Sequence, residues 1–233
     1  MQLFYIPDIS GNEIFLDEAE SKHAVKVLRL GMGSRIRITD GKGGLYTAEI
    51  SDPHSKRCRL EIVEFIPQYG IRDYNIHIAI APTKNNDRLE WFLEKATEIG
   101  IDEITLILCE NSERKTVKEE RMEKILISAM KQSLKAYLPK LNTPASFEDF
   151  IRSNNATQKF IAHCQGEEKS HLKNEIKKDS SVIILIGPEG DFSQEEISRA
   201  QLHGFMEVSL GNSRLRTETA GVVACHIVNL AHA

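Results

Sequence analysis

One stretch restricts the fold more than any other. Val182-Ile183-Ile184-Leu185-Ile186 runs without a polar residue into Gly187-Pro188-Glu189-Gly190, and Ser193 and Glu196 follow. An apolar run this short, bounded by turn residues, reads as a strand buried on both faces. Ser193 and Glu196 have the spacing of a capping box, so a helix starts at once. A strand covered above and below needs helices on both sides of its sheet. The expected class is therefore α/β with a parallel sheet.

The neighbouring sequence agrees. Asn75–Ala81, Ile104–Cys109 and Lys159–His163 read as further strands. Asp87–Ile99 reads as an amphipathic helix, with Leu89, Phe92, Leu93, Ala96 and Ile99 on one stripe. Asn85, Asn86 or Asp87 can cap its start, and Gly100 its end. A long helix is expected over Lys118–Ala136 and a last one over Thr217–Leu230.

The segment before Ile66 has a different rhythm. Leu3–Ile6, Ile14–Leu16, Arg35–Thr39, Leu45–Ile50 and Cys58–Phe65 are short strand patterns separated by turn residues. Asp40-Gly41-Lys42-Gly43-Gly44 has the glycines that a tight connection needs. One helix, Glu18–Leu30, interrupts them, with Ala24, Val27, Leu28 and Leu30 on its buried side. Short strands and one helix fit a small β-barrel, and Pro67–Gly70 marks a boundary. Two domains follow, residues 1–69 and 70–233.

The hydrophobic fraction of 41% and net charge of −4 are those of an ordinary globular protein without a basic excess. Any nucleic acid must therefore meet a local basic surface. Cys58, Cys109, Cys164 and Cys225 are scattered and read as reduced thiols. There is no signal-peptide pattern, and the apolar runs are too short to cross a bilayer, so a cytoplasmic protein without membrane contact is expected. The histidines show no H-x-x-x-H or E-x-x-H spacing, so no metal site is expected.

The glycine turn after Ile186 lacks both the Walker pattern and G-x-G-x-x-G. By itself it can be a plain turn or a loop that lets backbone groups approach a ligand. A second strand, Glu207–Leu210, leads into Gly211-Asn212-Ser213-Arg214-Leu215-Arg216-Thr217-Glu218-Thr219-Ala220. Arg214 and Arg216 can hold an anion there. The plainer alternative is an exposed loop ending in a Thr-Glu-Thr helix cap.

Together, IGPEGDFSQEEI and LGNSRLRTETA resemble the paired signatures of the RsmE family, ribosomal RNA uridine-N3 methyltransferases of the SPOUT superfamily. HAVKVLRLGMG, the DGKGG turn, RLEWFLEKATEIGI, ENSER, Lys131-Gln132-Ser133 and Leu138-Pro139 extend the likeness in order along the chain. The resemblance implies an N-terminal PUA-like β-barrel and a C-terminal trefoil-knotted domain. It also implies a homodimer that uses S-adenosylmethionine, without metal, on 16S ribosomal RNA within the small ribosomal subunit. The apolar Val222, Val223, Ile227, Val228 and Leu230 of the last helix fit the dimer.

Mapped onto this chain, the cofactor contacts fall on His163, Cys164, Gln165 and Gly166, and on Leu185, Ile186, Gly187, Pro188, Glu189 and Gly190. The third group is Leu210, Gly211, Asn212, Ser213, Leu215, Arg216 and Thr217. The apolar residues among them are expected to wall the adenine. Methylation at N3 requires loss of the N3 proton and stabilisation of the uracil anion. Arg216, then Arg214, is expected to hold the anion, with Glu189 or Glu218 as candidate base.

RNA contacts are expected from Lys22, Lys26 and Arg29, spaced to share a helical face, and from Arg88, Lys95 and Arg114. The chain departs from the family pattern at three places. Leu3 stands where an arginine is common, Leu134-Lys135 replaces an arginine after Gln-Ser, and Asp191 replaces a glycine after GPEG. Two alternatives stay open: a SPOUT methyltransferase of another RNA position, such as a ribose 2′-hydroxyl, or a non-catalytic RNA-binding assembly factor.

Overall fold

In a computed structural model of the chain, the structure describes residues 2–153, 156–166, 168–178 and 180–233. They form two compact units. One comprises Met1–Ile71 with Ile127–Leu138, the other Arg72–Leu126 with Pro139–Ala233.

In the first unit, β1 (Leu3–Tyr5), β2 (Glu13–Phe15), β3 (Arg35–Thr39), β4 (Leu45–Asp52) and β5 (Arg59–Ile66) make one curled, half-barrel sheet in the order β1-β3-β4-β5-β2. Period-two alternation turns Ile36, Ile38, Ala48, Ile50 and Leu60 into a shared core with Phe4 and Ile14. The β3–β4 turn is closed by Asp40, whose Oδ1 accepts from the amides of Lys42 at 2.7 Å and Gly44 at 2.9 Å. Gly43 has φ +100°, and a Cβ there would lie 2.4 Å from the Tyr137 ring. The Thr39 hydroxyl donates to the Ala136 carbonyl at 3.1 Å, which fixes the segment carrying Tyr137 on the same turn.

The expected helix over Glu18–Leu30 is shorter and changes its winding. Asp17 caps α1 (Glu18–Lys22) by accepting from the Glu20 amide at 2.7 Å. His23–Val27 then forms a π-helical turn, with the Leu28 amide reaching back five residues to the His23 carbonyl at 2.9 Å. The wider turn shifts the phase of the apolar stripe, so Ala24 is buried while Val27 is 65% exposed. Arg29 lies beyond the helix at φ +57° and does not share a regular helical face with Lys22 and Lys26.

The second unit holds a parallel six-stranded sheet. Its strands are β6 (Asn75–Ile80), β7 (Glu103–Leu108), β8 (Lys140–Ser146), β9 (Gln158–Ala162), β10 (Ser181–Ile186) and β11 (Met206–Val208), ordered β11-β9-β10-β6-β7-β8. Among the described residues six helices accompany it: α2 (Asn86–Ile99), α3 (Glu119–Gln132), α4 (Phe147–Ser153), α5 (Leu172–Glu175), α6 (Gln194–Leu202) and α7 (Thr217–His232). Only the first part of α3 belongs to this unit.

The run that made the class legible is β10, with β6 and β9 as its neighbours. Ile183 and Leu185 face one way, into a cluster with Phe147, Phe150 and Ile151 of α4 and Ile197 and Ala200 of α6. On the other face α7 lies against α2 and β6: a Cβ on Gly221 would come within 2.6 Å of Phe92 and 3.0 Å of Ile80. Each such buried aliphatic or aromatic side chain contributes about 2 kcal/mol. Asn85 caps α2, accepting from the Asp87 amide at 2.9 Å, and Gly100 ends it at φ +123°.

Two further elements differ from the sequence reading. α3 stops at Gln132 rather than Ala136, because Leu134 turns the chain left-handed at φ +57°. Strand β8, with the sequence KLNTPAS, has no apolar alternation and was not expected. Edge position explains both its polarity and its proline, since an edge strand can leave one side unpaired.

Candidate active site

Parallel strands bring their carboxyl ends to one edge of the sheet, and ligands of open α/β folds bind there. Ile186, the last residue of β10, lies beside Ala162 of β9 and Ile80 of β6, while Val208 of β11 also lies beside Ala162. The loops that begin at His163, Gly187 and Ser209 therefore leave adjoining strands at one level. The Ala81 amide donates to the Ile186 carbonyl at 2.9 Å, which brings the exit of β6 to the same level.

The loop after β10 is tied to its neighbours through backbone groups. The Asp191 amide closes a turn on the Pro188 carbonyl at 2.9 Å, and Asp191 sits at φ +64°. Its Oδ1 accepts from the Phe192 amide at 2.8 Å and its Oδ2 from the Cys164 amide at 2.9 Å. Gln165 also donates to the Phe192 carbonyl. Asn111, in the loop after β7, donates through Nδ2 to the Asp191 carbonyl at 3.0 Å. A Cβ on Gly190 would stand 3.2 Å from that asparagine, so the glycine permits the approach.

The expected capping box of α6 is present. Ser193 accepts from the Glu196 amide at 3.2 Å, and Glu196 Oε2 accepts from the Ser193 amide at 2.9 Å. The second carboxylate oxygen of Glu196 accepts from the Glu110 amide at 2.9 Å, a further tie to the β7 exit.

Glu189 reaches the β6 exit, where its Oε1 accepts from the Lys84 amide at 3.0 Å. Arg114 braces the same loop by donating to the carbonyls of Thr83 at 3.1 Å and Lys84 at 2.6 Å. Thr83–Asn85 and Asn111 were not among the expected site residues. Both act through tertiary adjacency of strand exits, for which the sequence carries no local signal.

The loop from Leu210 to Thr217 exposes Gly211, Asn212, Ser213, Arg214 and Arg216, while Leu215 is half-buried. Arg216 occupies the N-cap position of α7 without a side-chain cap bond. The expected Thr-Glu-Thr cap is therefore absent: the Thr217 hydroxyl instead donates to the Gly187 carbonyl at 2.9 Å, joining the β10 loop to the start of α7. Glu218 is only 6% exposed. Its Oε1 lies 3.8 Å from Arg88 Nε, and its Oε2 has no hydrogen-bond partner among the described residues.

His163 is buried, with Nε2 2.7 Å from Glu207 Oε2. An ionised carboxylate only accepts, so Nε2 carries the proton of the neutral ring. Burial draws its pKa below the usual range, with Lys169 adding to the effect and Glu207 opposing it. Cys164 is exposed and Gly166 takes φ +82°.

Leu185 and Ile186 do not form an open apolar wall, because both are buried within the sheet. Of the basic residues, Arg88 faces Glu218, Arg114 faces backbone carbonyls, and Lys95 is paired with Glu94 and Glu98. Those carboxylates raise the Lys95 pKa. Lys22, Lys26 and Arg29 belong to the first unit and all three are exposed there. Among the described residues no three His, Cys, Asp or Glu side chains gather as a metal ion would require.

Comparison with known proteins adds to this geometry. The family described as RNA methyltransferase domain matches residues 72–229, and the RNA methyltransferase PUA domain matches residues 16–63. The chain is 31% identical over 220 residues to ribosomal RNA small subunit methyltransferase E 2 of Borreliella burgdorferi, covering 91% of this chain and 89% of that protein. It is similar to the crystal structure of a probable rRNA-methyltransferase from Porphyromonas gingivalis, at 42% identity and a TM-score of 0.94, covering 100% and 98% of the two chains. It is also similar to a ribosomal RNA small subunit methyltransferase E from Neisseria gonorrhoeae bound to S-adenosyl methionine, at 26% identity and a TM-score of 0.90, with coverage of 100% and 98%.

Proposed function

The chain belongs to the RsmE family of RNA methyltransferases, and from that premise we propose that it methylates N3 of a uridine in 16S ribosomal RNA with S-adenosylmethionine. The observation that carries the reading is the convergence of the loops after β9, β10 and β11 at one level of a parallel sheet, with Thr217 and Asp191 tying them together. S-adenosylmethionine fits such a site, because glycine-rich loops present backbone groups to an adenine, and the arginines of the third loop are exposed rather than fixed within it.

His163–Gly166, Gly187–Gly190 and Leu210–Thr217 hold the cofactor. Bound there, it would supply an electrophilic methyl group for the uridine N3 nitrogen. The chain's own residues prepare that nitrogen. Glu218 is the acceptor for the N3 proton: its Oε2 has no hydrogen-bond partner among the described residues, whereas an oxygen of Glu189 is engaged by the Lys84 amide. Arg216, assisted by Arg214, stabilises the negative charge left on the uracil ring.

The reading extends to a cytoplasmic homodimer acting on the small ribosomal subunit. Leu230 on α7 and Trp91 on α2 are exposed apolar side chains that a second copy would cover. A monomeric mass by light scattering at micromolar concentration would count against the dimer.

The function is tested by incubating the protein with labelled S-adenosylmethionine and either small subunits or free 16S RNA, then analysing the nucleosides. Label in N3-methyluridine is expected. Label in 2′-O-methylated nucleosides would overturn the N3 assignment, and absence of both cofactor binding and methylation would favour an RNA-binding assembly factor.

A further inference from the structure

Asp191 stands at the centre of the site yet has no role in the chemistry described above. Its left-handed backbone, φ +64°, is one that aspartate tolerates better than most residues but that glycine adopts without cost. It does not cap α6, since Ser193 does. Its two carboxylate oxygens divide their work. Oδ1 holds the next amide, Phe192, at 2.8 Å, and Oδ2 reaches across to the amide of Cys164 at 2.9 Å. Its carbonyl accepts from Asn111 at 3.0 Å. One residue therefore connects the exits of β7, β9 and β10.

We propose that Asp191 is a positioning residue for the cofactor: its carboxylate sets the spacing between the loop His163–Gly166 and the loop Gly187–Gly190 before ligand arrives. The inference rests on the reading of these loops as the cofactor site. Hydrogen bonds from amides to a charged acceptor are stronger than neutral ones, and a loop ordered in advance loses less entropy on binding. A glycine at this position keeps the turn but not the tie to Cys164, so the backbone shape and the crosslink are separable.

Two substitutions make the separation. Asp191→Gly keeps the left-handed turn without strain and removes both side-chain bonds. Asp191→Asn also suits that backbone, and its single carbonyl oxygen can accept one of the two amides while its NH2 group cannot accept the other. Amide hydrogen exchange is measured on each protein without cofactor, and calorimetry then gives S-adenosylmethionine affinity. In Asp191→Gly the amides of Cys164 and Phe192 are expected to exchange faster and the affinity to fall about tenfold, with Asp191→Asn between it and the parent. Thermal unfolding is followed alongside and is expected to stay close to that of the parent.

Unchanged protection of the Cys164 amide in Asp191→Gly would overturn the proposal, and so would parent-like affinity after that protection is lost. A parent protein that binds no S-adenosylmethionine would instead overturn the cofactor-site reading, whatever the exchange data show.

Discussion

Replacing Thr217 with valine removes one hydroxyl from the junction of two site loops and leaves the shape of the side chain almost unaltered. In the parent this hydroxyl donates to the Gly187 carbonyl at 2.9 Å, a buried bond spanning 30 residues of sequence. Valine leaves that carbonyl without its donor, at a cost of about 1–3 kcal/mol. For a domain of this size each kcal/mol lowers the melting temperature by about 2–4 °C, so a fall of about 2–12 °C is expected in thermal unfolding. The bond also holds the start of α7 against the β10 loop, so calorimetry should show S-adenosylmethionine affinity reduced by about tenfold, a change of roughly 1.4 kcal/mol. Thr217→Ser keeps a donor and should recover most of both. Valine with parent-like melting and affinity would refute the reasoning, as would a serine variant as impaired as the valine one.

Further outcomes follow from other parts of the molecule. Burial pushes the His77 imidazole from an ordinary 6.5 down to about 4. Because the unfolded chain takes up a proton that the folded chain refuses, stability falls as pH drops from about 6.5 towards 4, by of the order of 3 kcal/mol. Urea titrations across that range should show the loss in the parent and a flatter profile in His77→Gln. Gly221→Ala should destabilise by about 1–2 kcal/mol in chemical unfolding, because the close approach to Phe92 outweighs the helix-propensity gain. Glu218→Gln should lower single-turnover methylation at neutral pH and recover as uridine ionises at higher pH, whereas Glu189→Gln should show no such recovery. An identical pH–rate profile in the parent and Glu218→Gln would remove Glu218 as proton acceptor. Arg216→Ala, at an exposed position, should cut turnover strongly with the fold retained by circular dichroism.

The sheet was legible where burial on two faces leaves an apolar run, unbroken in Val182–Ile186 and interrupted only by Thr105 in Ile104–Leu108. It was illegible at Lys140–Ser146, where an edge position relaxes the demand for apolar residues and tolerates Pro144. Periodicity failed at Val27 for a different reason, since a π-helical turn moves residues off the phase that an α-helix would give them. Around the site, the glycine loops and the Ser193–Glu196 box announced themselves by residue type. The ties did not. Thr217 looked like part of a helix cap and reaches Gly187 instead, and Asp191, legible only as a departure from a glycine, links two loops. Arg114 looked like a phosphate ligand, and in the fold it donates to the carbonyls of Thr83 and Lys84. Such contacts depend on which strands adjoin, a property of the topology and not of any local stretch.

The account is tested most directly by a crystal structure of the protein grown with S-adenosylmethionine. Cofactor density enclosed by residues 163–166, 187–190 and 210–217 is the result it predicts. Clear density bound elsewhere, or those three loops closed on one another by their own side chains at saturating cofactor, would contradict it.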